Sequence, residues 1–330
     1  EVDKRGPTPK EPEQVFKVGD LVRVVWVGPN AGIGERESDS GGYWKLGQIP
    51  AVEGALISMS PENGKILALV GGLNFSRSKF NRVTQARRQP GSNFKPFLYS
   101  AALQKGFTAA SFINDAPVVF QDNALDSVWR PGNFGGRYFG PTRLREALTK
   151  SRNLVSIRLL QSIGIDYTRS YASRFGFDER SLPTNLSMAL GSGEVSPMEI
   201  ATAYSVFANG GFKISPEFIE HIENSNGKRV WENKVASVCR VCETVDLDEE
   251  GEPDDLETLL KMETLPPAKI AQRVIEAENA WILNSIMQDV IAYGTGRKAK
   301  SLGRADLAGK TGTTNDQRDA WFSGFNSRLV

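Results

Sequence analysis

The 330-residue sequence has one histidine, two cysteines and no long apolar run. With His221 as the sole histidine, a Ser-His-Asp arrangement is nearly excluded, so a serine nucleophile would need another base, and lysine is the obvious candidate. No run of about 18 apolar residues is present and the N-terminus has no apolar signal-peptide core, so the sequence predicts no segment that spans a membrane unaided. The formal net charge of +1 argues against a nucleic-acid-binding protein.

The two cysteines, Cys239 and Cys242, form one C-x-x-C in a polar stretch. A structural zinc ion needs four ligands, and this stretch has neither a nearby histidine nor a second cysteine pair. We therefore expect no metal and no cofactor. The pair is equally compatible with a disulfide in an oxidising compartment and with two free surface thiols.

Composition shifts divide the chain into three parts. Residues 1–15 are proline-rich and charged, which is typical of a linker, and residues 16–50 hold short β-like runs that suggest the remnant of a small β domain. A larger domain is expected over 51–330. An acidic stretch around 224–267 interrupts it; because this stretch lacks the glycine-centred spacing of a calcium loop, it is interpreted as a solvated insertion.

Hydrophobic periodicity predicts an α+β fold for the larger domain. A hairpin with its turn at Asn63-Gly64 opens the domain, and strand character returns near its end, at 306–313 and 319–325. Between them, apolar residues at helical spacing predict helices over 94–104, 142–150, 153–163, 197–208 and 276–293. This order implies one antiparallel sheet, assembled from both ends of the domain and flanked by helices.

Three short motifs carry the chemistry: Ser92-Asn93-Phe94-Lys95, Ser151-Arg152-Asn153 and Lys310-Thr311-Gly312-Thr313. Ser-x-x-Lys also occurs at 76–79 and 225–228, but only Ser92 opens an apolar helical run. Residues three apart share a helix face, so Lys95 is expected to reach the Ser92 hydroxyl. The helix N-terminus also offers unpaired N–H groups to an oxyanion.

The other two motifs supply what such a serine needs. For Lys95 to act as a base its pKa must be depressed, which burial and the ammonium of Lys310 would both accomplish. Strand alternation places Thr311 and Thr313 on one side, and Gly312 is expected to leave the backbone open to an incoming peptide strand. Each motif alone is a common cap or turn; their joint, ordered occurrence predicts a serine acyl-transfer site.

The sequence resembles the transpeptidase domain of class A, bifunctional penicillin-binding proteins over residues 51–330. Beyond the three motifs, the resemblance rests on Gln89–Ser92, Trp129–Asn133, Leu144–Leu148, Leu190–Pro197, Phe207–Gly211 and Asp319–Phe322. It implies the penicillin-binding-protein/β-lactamase-like fold, and it identifies residues 16–50 as the end of an OB-like domain. It also implies that the domain is truncated at its C-terminus, before a last strand and helix, and that a glycosyltransferase domain is missing.

The resemblance implies roles for the residues of the site. Ser92 would attack the D-Ala-D-Ala carbonyl of a peptidoglycan stem peptide, with Lys95 as base, and the amine of a neighbouring stem peptide would resolve the acyl-enzyme. Ser151 and Lys310 would pass a proton to the leaving amine, while Asn153 would orient Lys95 and the substrate amide.

It also implies how substrate is held and where the enzyme works. Thr311, Gly312 and Thr313 would bind the substrate and its carboxylate, and the backbone N–H groups of Ser92 and Thr313 would form the oxyanion hole. β-Lactams would acylate the serine and stall. The expected location is the periplasmic face of the bacterial inner membrane, through an anchor outside this chain, with regulators of cell-wall synthesis as further partners.

Three alternatives remain at this stage. A β-lactamase needs a water-activating glutamate downstream of the second motif, but 165–200 lacks Glu-x-x-Leu-Asn, and Arg152 replaces the aspartate of β-lactamases. A D-Ala-D-Ala carboxypeptidase shares every catalytic residue and differs only in the acceptor. A β-lactam-sensing receptor domain is the non-enzyme alternative, against which the flanking β remnant and the large size argue.

Overall fold

The computed structural model describes residues 11–28, 42–47, 49–122, 127–240, 242, 269–314 and 318–330. Contacts divide the chain into two compact units, residues 1–54 and 55–330. In the described part of the first unit, strands β1 (Arg23–Val27) and β2 (Tyr43–Gly47) form an antiparallel ribbon. Trp26 and Trp44 pack edge to face across it. The ribbon alone does not test the OB-like assignment, which stays a prediction together with the domain boundaries.

The helices of the second unit lie close to the predicted ranges. They are α1 (Lys95–Gln104), α2 (Leu144–Thr149), α3 (Asn153–Ile163), α4 (Ile165–Ser173), α5 (Pro197–Ala208) and α6 (Ala277–Ala292). The sequence did not predict α4, since polar residues fill most of its positions. α2 is shorter than expected because residues 142 and 143 belong to a strand. No helix in the described part of the chain is long and apolar enough to cross a membrane.

Local signals explain where α5 begins. The Ser196 hydroxyl accepts a hydrogen bond from the Glu199 N–H at 3.1 Å, and the Glu199 carboxylate accepts one from the Ser196 N–H at 2.6 Å. This capping box satisfies two N–H groups at the helix start, and Pro197 at the first position needs no partner. Arg87 donates to the same carboxylate at 2.6 Å, which ties the helix start to the segment leading to Ser92.

The α+β fold class is confirmed, but the expected single sheet is divided into separate antiparallel pairs. β3 (Leu56–Met59) pairs with β4 (Ile66–Val70), and β13 (Ala308–Thr313) pairs with β14 (Ala320–Phe325). Met59 and Val330 exchange two backbone hydrogen bonds, of 2.9 and 3.0 Å, so the two ends of the domain do meet. Contact limited to one residue pair explains why the two hairpins do not form a continuous ladder.

The remaining strands are short. β5 (Phe112–Asp115) pairs with β8 (Gly140–Arg143), and β6 (Phe120–Asp122) pairs with β7 (Ser127–Trp129). Two further antiparallel pairs join β9 (Phe212–Lys213) to β12 (Gln272–Arg273), and β10 (His221–Glu223) to β11 (Arg229–Glu232). The acidic stretch expected to be an insertion lies mostly outside the described residues. At its near end, Cys239 and Cys242 form a disulfide, one of the two states left open by the sequence.

An aromatic cluster around α1 anchors the fold. The Phe97 ring is fully buried, and its centroid lies 4.9–5.6 Å from those of Phe94, Phe175, Phe177, Tyr204 and Phe207. Burying each such side chain stabilises the fold by about 1.5–3 kcal/mol. Because Phe97 lies two residues after Lys95, this core fixes the first turn of α1, which carries the lysine of the Ser-x-x-Lys motif.

Candidate active site

Ser92 lies in a 3-10 turn, Gly91–Phe94, that runs directly into α1. Its side chain is half-buried, whereas Asn93 beside it is fully buried. The Asn93 backbone and side-chain oxygens accept hydrogen bonds from the Tyr204 hydroxyl at 2.8 and 2.7 Å, and its amide donates to the Ser323 hydroxyl at 2.8 Å. The serine is therefore held between α5 and β14 by the residue that follows it.

Glycines allow the serine turn to approach its neighbours closely. A β-carbon added to Gly312 would overlap the Pro90 carbonyl oxygen, and one added to Gly191 would overlap that of Gly91. At Gly91, where φ is +56°, an added β-carbon would lie 2.6 Å from the Thr313 carbonyl oxygen. The missing side chain of Gly312 thus makes room for the serine turn. The expectation that Gly312 leaves the backbone open to an incoming peptide stays a prediction.

Two lysines are fully buried beside this turn. The Lys95 Nζ donates to the Ser151 carbonyl oxygen at 2.8 Å, to Asn153 Oδ1 at 2.7 Å and to Ser151 Oγ at 3.3 Å. The Lys310 Nζ donates to Ser151 Oγ at 3.0 Å and to the Thr311 carbonyl oxygen at 2.9 Å. The Ser151 hydroxyl therefore lies between the two amino groups, and the structure brings all three motifs together.

Burial lowers the pKa of both lysines. Burial and the Lys310 charge, the two causes expected from the sequence, lower the pKa of Lys95 well below its ordinary value, while the Asp115 carboxylate opposes them. Burial also lowers the pKa of Lys310 to about 7. A neutral amine is consequently available near neutral pH.

Ser151 connects α2 to α3 in a left-handed conformation, with φ at +56°. No other non-glycine residue in the described part of the chain has a positive φ. This conformation costs about 1–2 kcal/mol for a residue with a β-carbon. The turn directs both the carbonyl and the hydroxyl of Ser151 at the lysines, and these hydrogen bonds offset the strain.

The geometry differs from the sequence expectation at one contact. Lys95 was expected to reach the Ser92 hydroxyl, but within the described residues no hydrogen bond joins the two side chains. The Lys95 amino group is instead taken by Ser151 and Asn153. Catalytic hydrogen bonds are often long in the absence of substrate and shorten when it binds, so this difference does not remove Lys95 as a base.

Asn133 and Asp115 form a layer beneath the site that sequence reasoning missed. Asn133 Oδ1 accepts from the N–H groups of Asn153 at 2.8 Å and Leu154 at 3.3 Å, and its Nδ2 donates to Asp115 Oδ1 at 2.7 Å. The only signal was the segment Trp129–Asn133, which contributed to the family resemblance. Nothing in the pattern around Asp115 marked it.

The third motif ends β13 beside a further missed residue. The Thr311 hydroxyl lies 2.6 Å from that of Thr295, which follows α6, and Thr313 is exposed. Arg88 forms a two-point ion pair with Asp319, at 2.8 and 2.9 Å, which joins the segment before Ser92 to the start of β14. Among the described residues, no group of three or more histidine, cysteine, aspartate or glutamate side chains is placed to hold a metal ion.

Known sequences similar to this chain match it over the segment that contains the three motifs. The family model described as "Penicillin binding protein transpeptidase domain" matches residues 54–327. The chain is 49% identical over 342 residues to penicillin-binding protein 1A of Pseudomonas aeruginosa. This alignment covers 98% of this chain and 40% of the relative. It is 47% identical over 296 residues to penicillin-binding protein 1A of Neisseria lactamica. That alignment covers 89% of this chain and 34% of the relative. The chain thus spans well under half of these relatives.

Solved structures give the same result for the fold. The crystal structure of penicillin-binding protein 1A from Haemophilus influenzae has a TM-score of 0.77 and 40% sequence identity, over 87% of this chain and 43% of that one. The penicillin-binding protein PonA1 from Mycobacterium tuberculosis has a TM-score of 0.65 and 23% identity, over 83% of this chain and 66% of that one. The second likeness concerns the fold alone.

Proposed function

Because this chain belongs to the penicillin-binding protein transpeptidase family, we propose that it is a peptidoglycan DD-transpeptidase domain that cross-links stem peptides through a serine acyl-enzyme. One observation carries the proposal beyond family membership. The Ser151 hydroxyl lies 3.0 Å from the Lys310 Nζ and 3.3 Å from the Lys95 Nζ, next to the Ser92 turn. This arrangement supplies a nucleophile, a base and a proton relay without histidine.

Acylation begins at Ser92. Its hydroxyl oxygen attacks the carbonyl of the D-Ala-D-Ala bond, and neutral Lys95 takes the hydroxyl proton, as its lowered pKa allows. Asn153 Oδ1, at 2.7 Å, holds the Lys95 amine in the orientation needed. The backbone N–H groups of Ser92 and Thr313 stabilise the oxyanion, each by about 3 kcal/mol.

The Ser151 hydroxyl then carries the proton onward. Bonded to both lysines, it passes a proton from Lys95 to the departing D-Ala amine, while the charge of Lys310 favours the build-up of negative charge nearby. The C–N bond breaks and the acyl-enzyme remains. An incoming amine from a second stem peptide reverses these steps, so the same residues remove its proton and release the cross-linked product.

Substrate binding is assigned to the third motif. The hydroxyls of Thr311 and Thr313 hold the terminal carboxylate of the donor, with Lys310 close by as a cation. Gly312 serves by letting the serine turn lie against β13. Penicillins and other β-lactams carry a carboxylate beside a reactive amide and acylate Ser92 in place of the donor.

The relatives are much longer than this chain, and this is consistent with further domains in the full protein. We place the whole enzyme at the periplasmic face of the bacterial inner membrane, held by a membrane anchor and working beside a glycosyltransferase domain. Regulators of cell-wall synthesis are its expected protein partners. A carboxypeptidase would use the same residues, so the acceptor has to be tested directly.

The first test is intact-protein mass after incubation with a penicillin. A one-to-one adduct should persist for hours, be absent in Ser92→Ala, and persist in Ser76→Ala, which alters another Ser-x-x-Lys in the chain. An adduct that disappears within minutes would indicate a β-lactamase. A folded chain with no adduct at all would disprove the proposal. With a D-Ala-D-Ala peptide and an amine acceptor, a cross-linked product separates a transpeptidase from a carboxypeptidase and from a receptor.

A further inference from the structure

A fully buried carboxylate, that of Asp115, lies close enough to Lys95 to act on its charge. Asp115, the last residue of β5, accepts a hydrogen bond from Asn133 at its Oδ1, but within the described residues its Oδ2 has no hydrogen-bond partner. The Arg152 Nε lies 3.9 Å from this oxygen and also lacks a partner there. Burying a carboxylate that is incompletely paired is energetically costly. Such a cost at the edge of an active site points to a role for the charge.

Asn133 connects this carboxylate to α3. Its Nδ2 donates to Asp115 Oδ1 and to the Arg137 carbonyl oxygen, so its Oδ1 must face the other way, toward the N–H groups of Asn153 and Leu154. Arg152, which precedes α3, provides no side-chain cap. Asn133 therefore supplies from a distant loop the acceptor that an N-cap residue normally provides.

The position of α3 sets the position of Asn153, whose two side-chain atoms are both bonded. Its Oδ1 accepts from the Lys95 Nζ at 2.7 Å, and its Nδ2 donates to the Gly132 carbonyl oxygen at 2.9 Å. Gly132 and Asn133 are consecutive, so one short loop holds both the backbone and the side chain of Asn153. A displaced loop would move the oxygen that orients the base.

We propose that Asp115 and Asn133 are positioning residues for Lys95. The carboxylate orients the Asn133 amide, which caps α3 and aligns Asn153 with the amine, and the charge of the carboxylate acts on Lys95. The inference rests on the proposed function, in which Lys95 is the base. It extends that function by a second layer that touches neither substrate nor the reacting atoms.

The titratable groups near Asp115 come from several elements. Lys95 and Tyr99 lie on α1, and Arg152 lies at the junction of α2 and α3, while Lys310 on β13 acts on Lys95. Asp115 raises the pKa of Lys95, against the lowering caused by burial and by Lys310. Its carboxylate thereby keeps Lys95 a stronger base than burial alone would leave.

The test compares the pH dependence of penicillin acylation in the full chain and its variants. Asp115→Asn keeps an oxygen that can accept from Asn133 but removes the charge, so the acid limb of the profile should move to lower pH. Asn133→Ala keeps the charge but removes the cap, so acylation should slow by about tenfold or more at every pH, with the limb unmoved. Asp166→Asn, at a carboxylate whose side chain is 95% exposed, is the control and should match the unaltered chain.

A second readout does not depend on acylation. In a chain labelled with ¹³C at lysine Cε, the Lys95 resonance, assigned with Lys95→Met, should titrate at lower pH in Asp115→Asn than in the unaltered chain. An unshifted limb together with an unshifted Lys95 titration would overturn the proposal for the charge. Wild-type acylation by Asn133→Ala would overturn the proposal for the cap. If the unaltered chain forms no adduct, the proposed function fails, whereas the titration still decides the role of Asp115.

Discussion

At the scale of single residues, Ser151 combines a left-handed backbone with hydrogen bonds to both lysines. Its left-handed φ of +56° exposes the carbonyl to Lys95 and the hydroxyl to both Lys95 and Lys310. A glycine would adopt this conformation without strain but has no hydroxyl. We therefore expect the hydroxyl of Ser151 to serve the proposed chemistry at a cost in stability.

This trade-off predicts opposite effects on stability and activity. Ser151→Gly removes the strained β-carbon and the hydroxyl together, whereas Ser151→Ala removes only the hydroxyl and keeps the strain. The glycine variant should be more stable than the alanine variant by about 1 kcal/mol in urea unfolding. Both should acylate with penicillin at least about 100-fold more slowly than the unaltered chain. Equal stabilities of the two variants would show that the left-handed conformation carries no strain.

At the scale of elements, the site depends on how closely β13 approaches the turn that carries Ser92. Neither element would place its motif correctly alone, since the turn belongs to the start of α1 and the strand to a hairpin more than 200 positions later in the sequence. The two meet where Gly312 faces the Pro90 carbonyl and Gly91 faces that of Thr313. Side chains at these positions would push the elements apart.

Adding one methyl group at this contact should therefore damage both stability and activity. Gly312→Ala places a β-carbon on the Pro90 carbonyl oxygen, and we expect a loss of about 1–3 kcal/mol of unfolding free energy together with slower acylation. Gly54→Ala, where an added β-carbon meets nothing within 4 Å, is the matched control. Urea unfolding and adduct formation by mass measure the two effects. A Gly312→Ala variant that behaves like Gly54→Ala would show that the close approach is unimportant.

At the scale of the whole molecule, burial of the aromatic core stabilises the fold and helps to offset the cost of burying two lysines. Lys95 and Lys310 are as inaccessible as the phenylalanines of the core, yet each carries an amine that prefers water. The protein lowers this cost by releasing protons, which is seen as depressed pKa values. The desolvation that lowers these pKa values should also make the stability of the fold sensitive to pH.

The lowered pKa of Lys310 determines whether the free energy of unfolding rises or falls with pH. The pKa of Lys310 is about 7 in the folded protein against an ordinary value of 10.5, so between these limits the unfolded chain binds more protons. The free energy of unfolding should rise with pH through this window, by up to about 1.4 kcal/mol per pH unit for this group. Lys310→Met removes the group, and urea unfolding at about pH 7.5 and pH 9 should show a smaller rise for the variant. An equal rise in both proteins would contradict the lowered pKa.

Much of the fold followed from local pattern. The ranges of α3 and α5 were predicted to the residue, because apolar spacing marks the buried face and Gly164, Ser196 and Pro197 mark the ends. Two features of the fold were not predicted from the sequence. α4 packs the buried Tyr171 into the core with few other apolar residues, and the division of the sheet depends on contacts between the two ends of the domain. Neither leaves a periodic signal in the sequence.

The three motifs predicted which reactive groups meet at the site, since two serines, two lysines and an asparagine carry that reactivity in their own side chains. What the tertiary structure alone decided is their environment: full burial of both lysines, the left-handed Ser151 between them, and the support of Asn153 from Asn133 and Asp115. These depend on distances between segments remote in sequence, where desolvation and Coulomb forces act through space. Residue identities along a chain specify which groups can react, and only packing sets how strongly each one holds its proton.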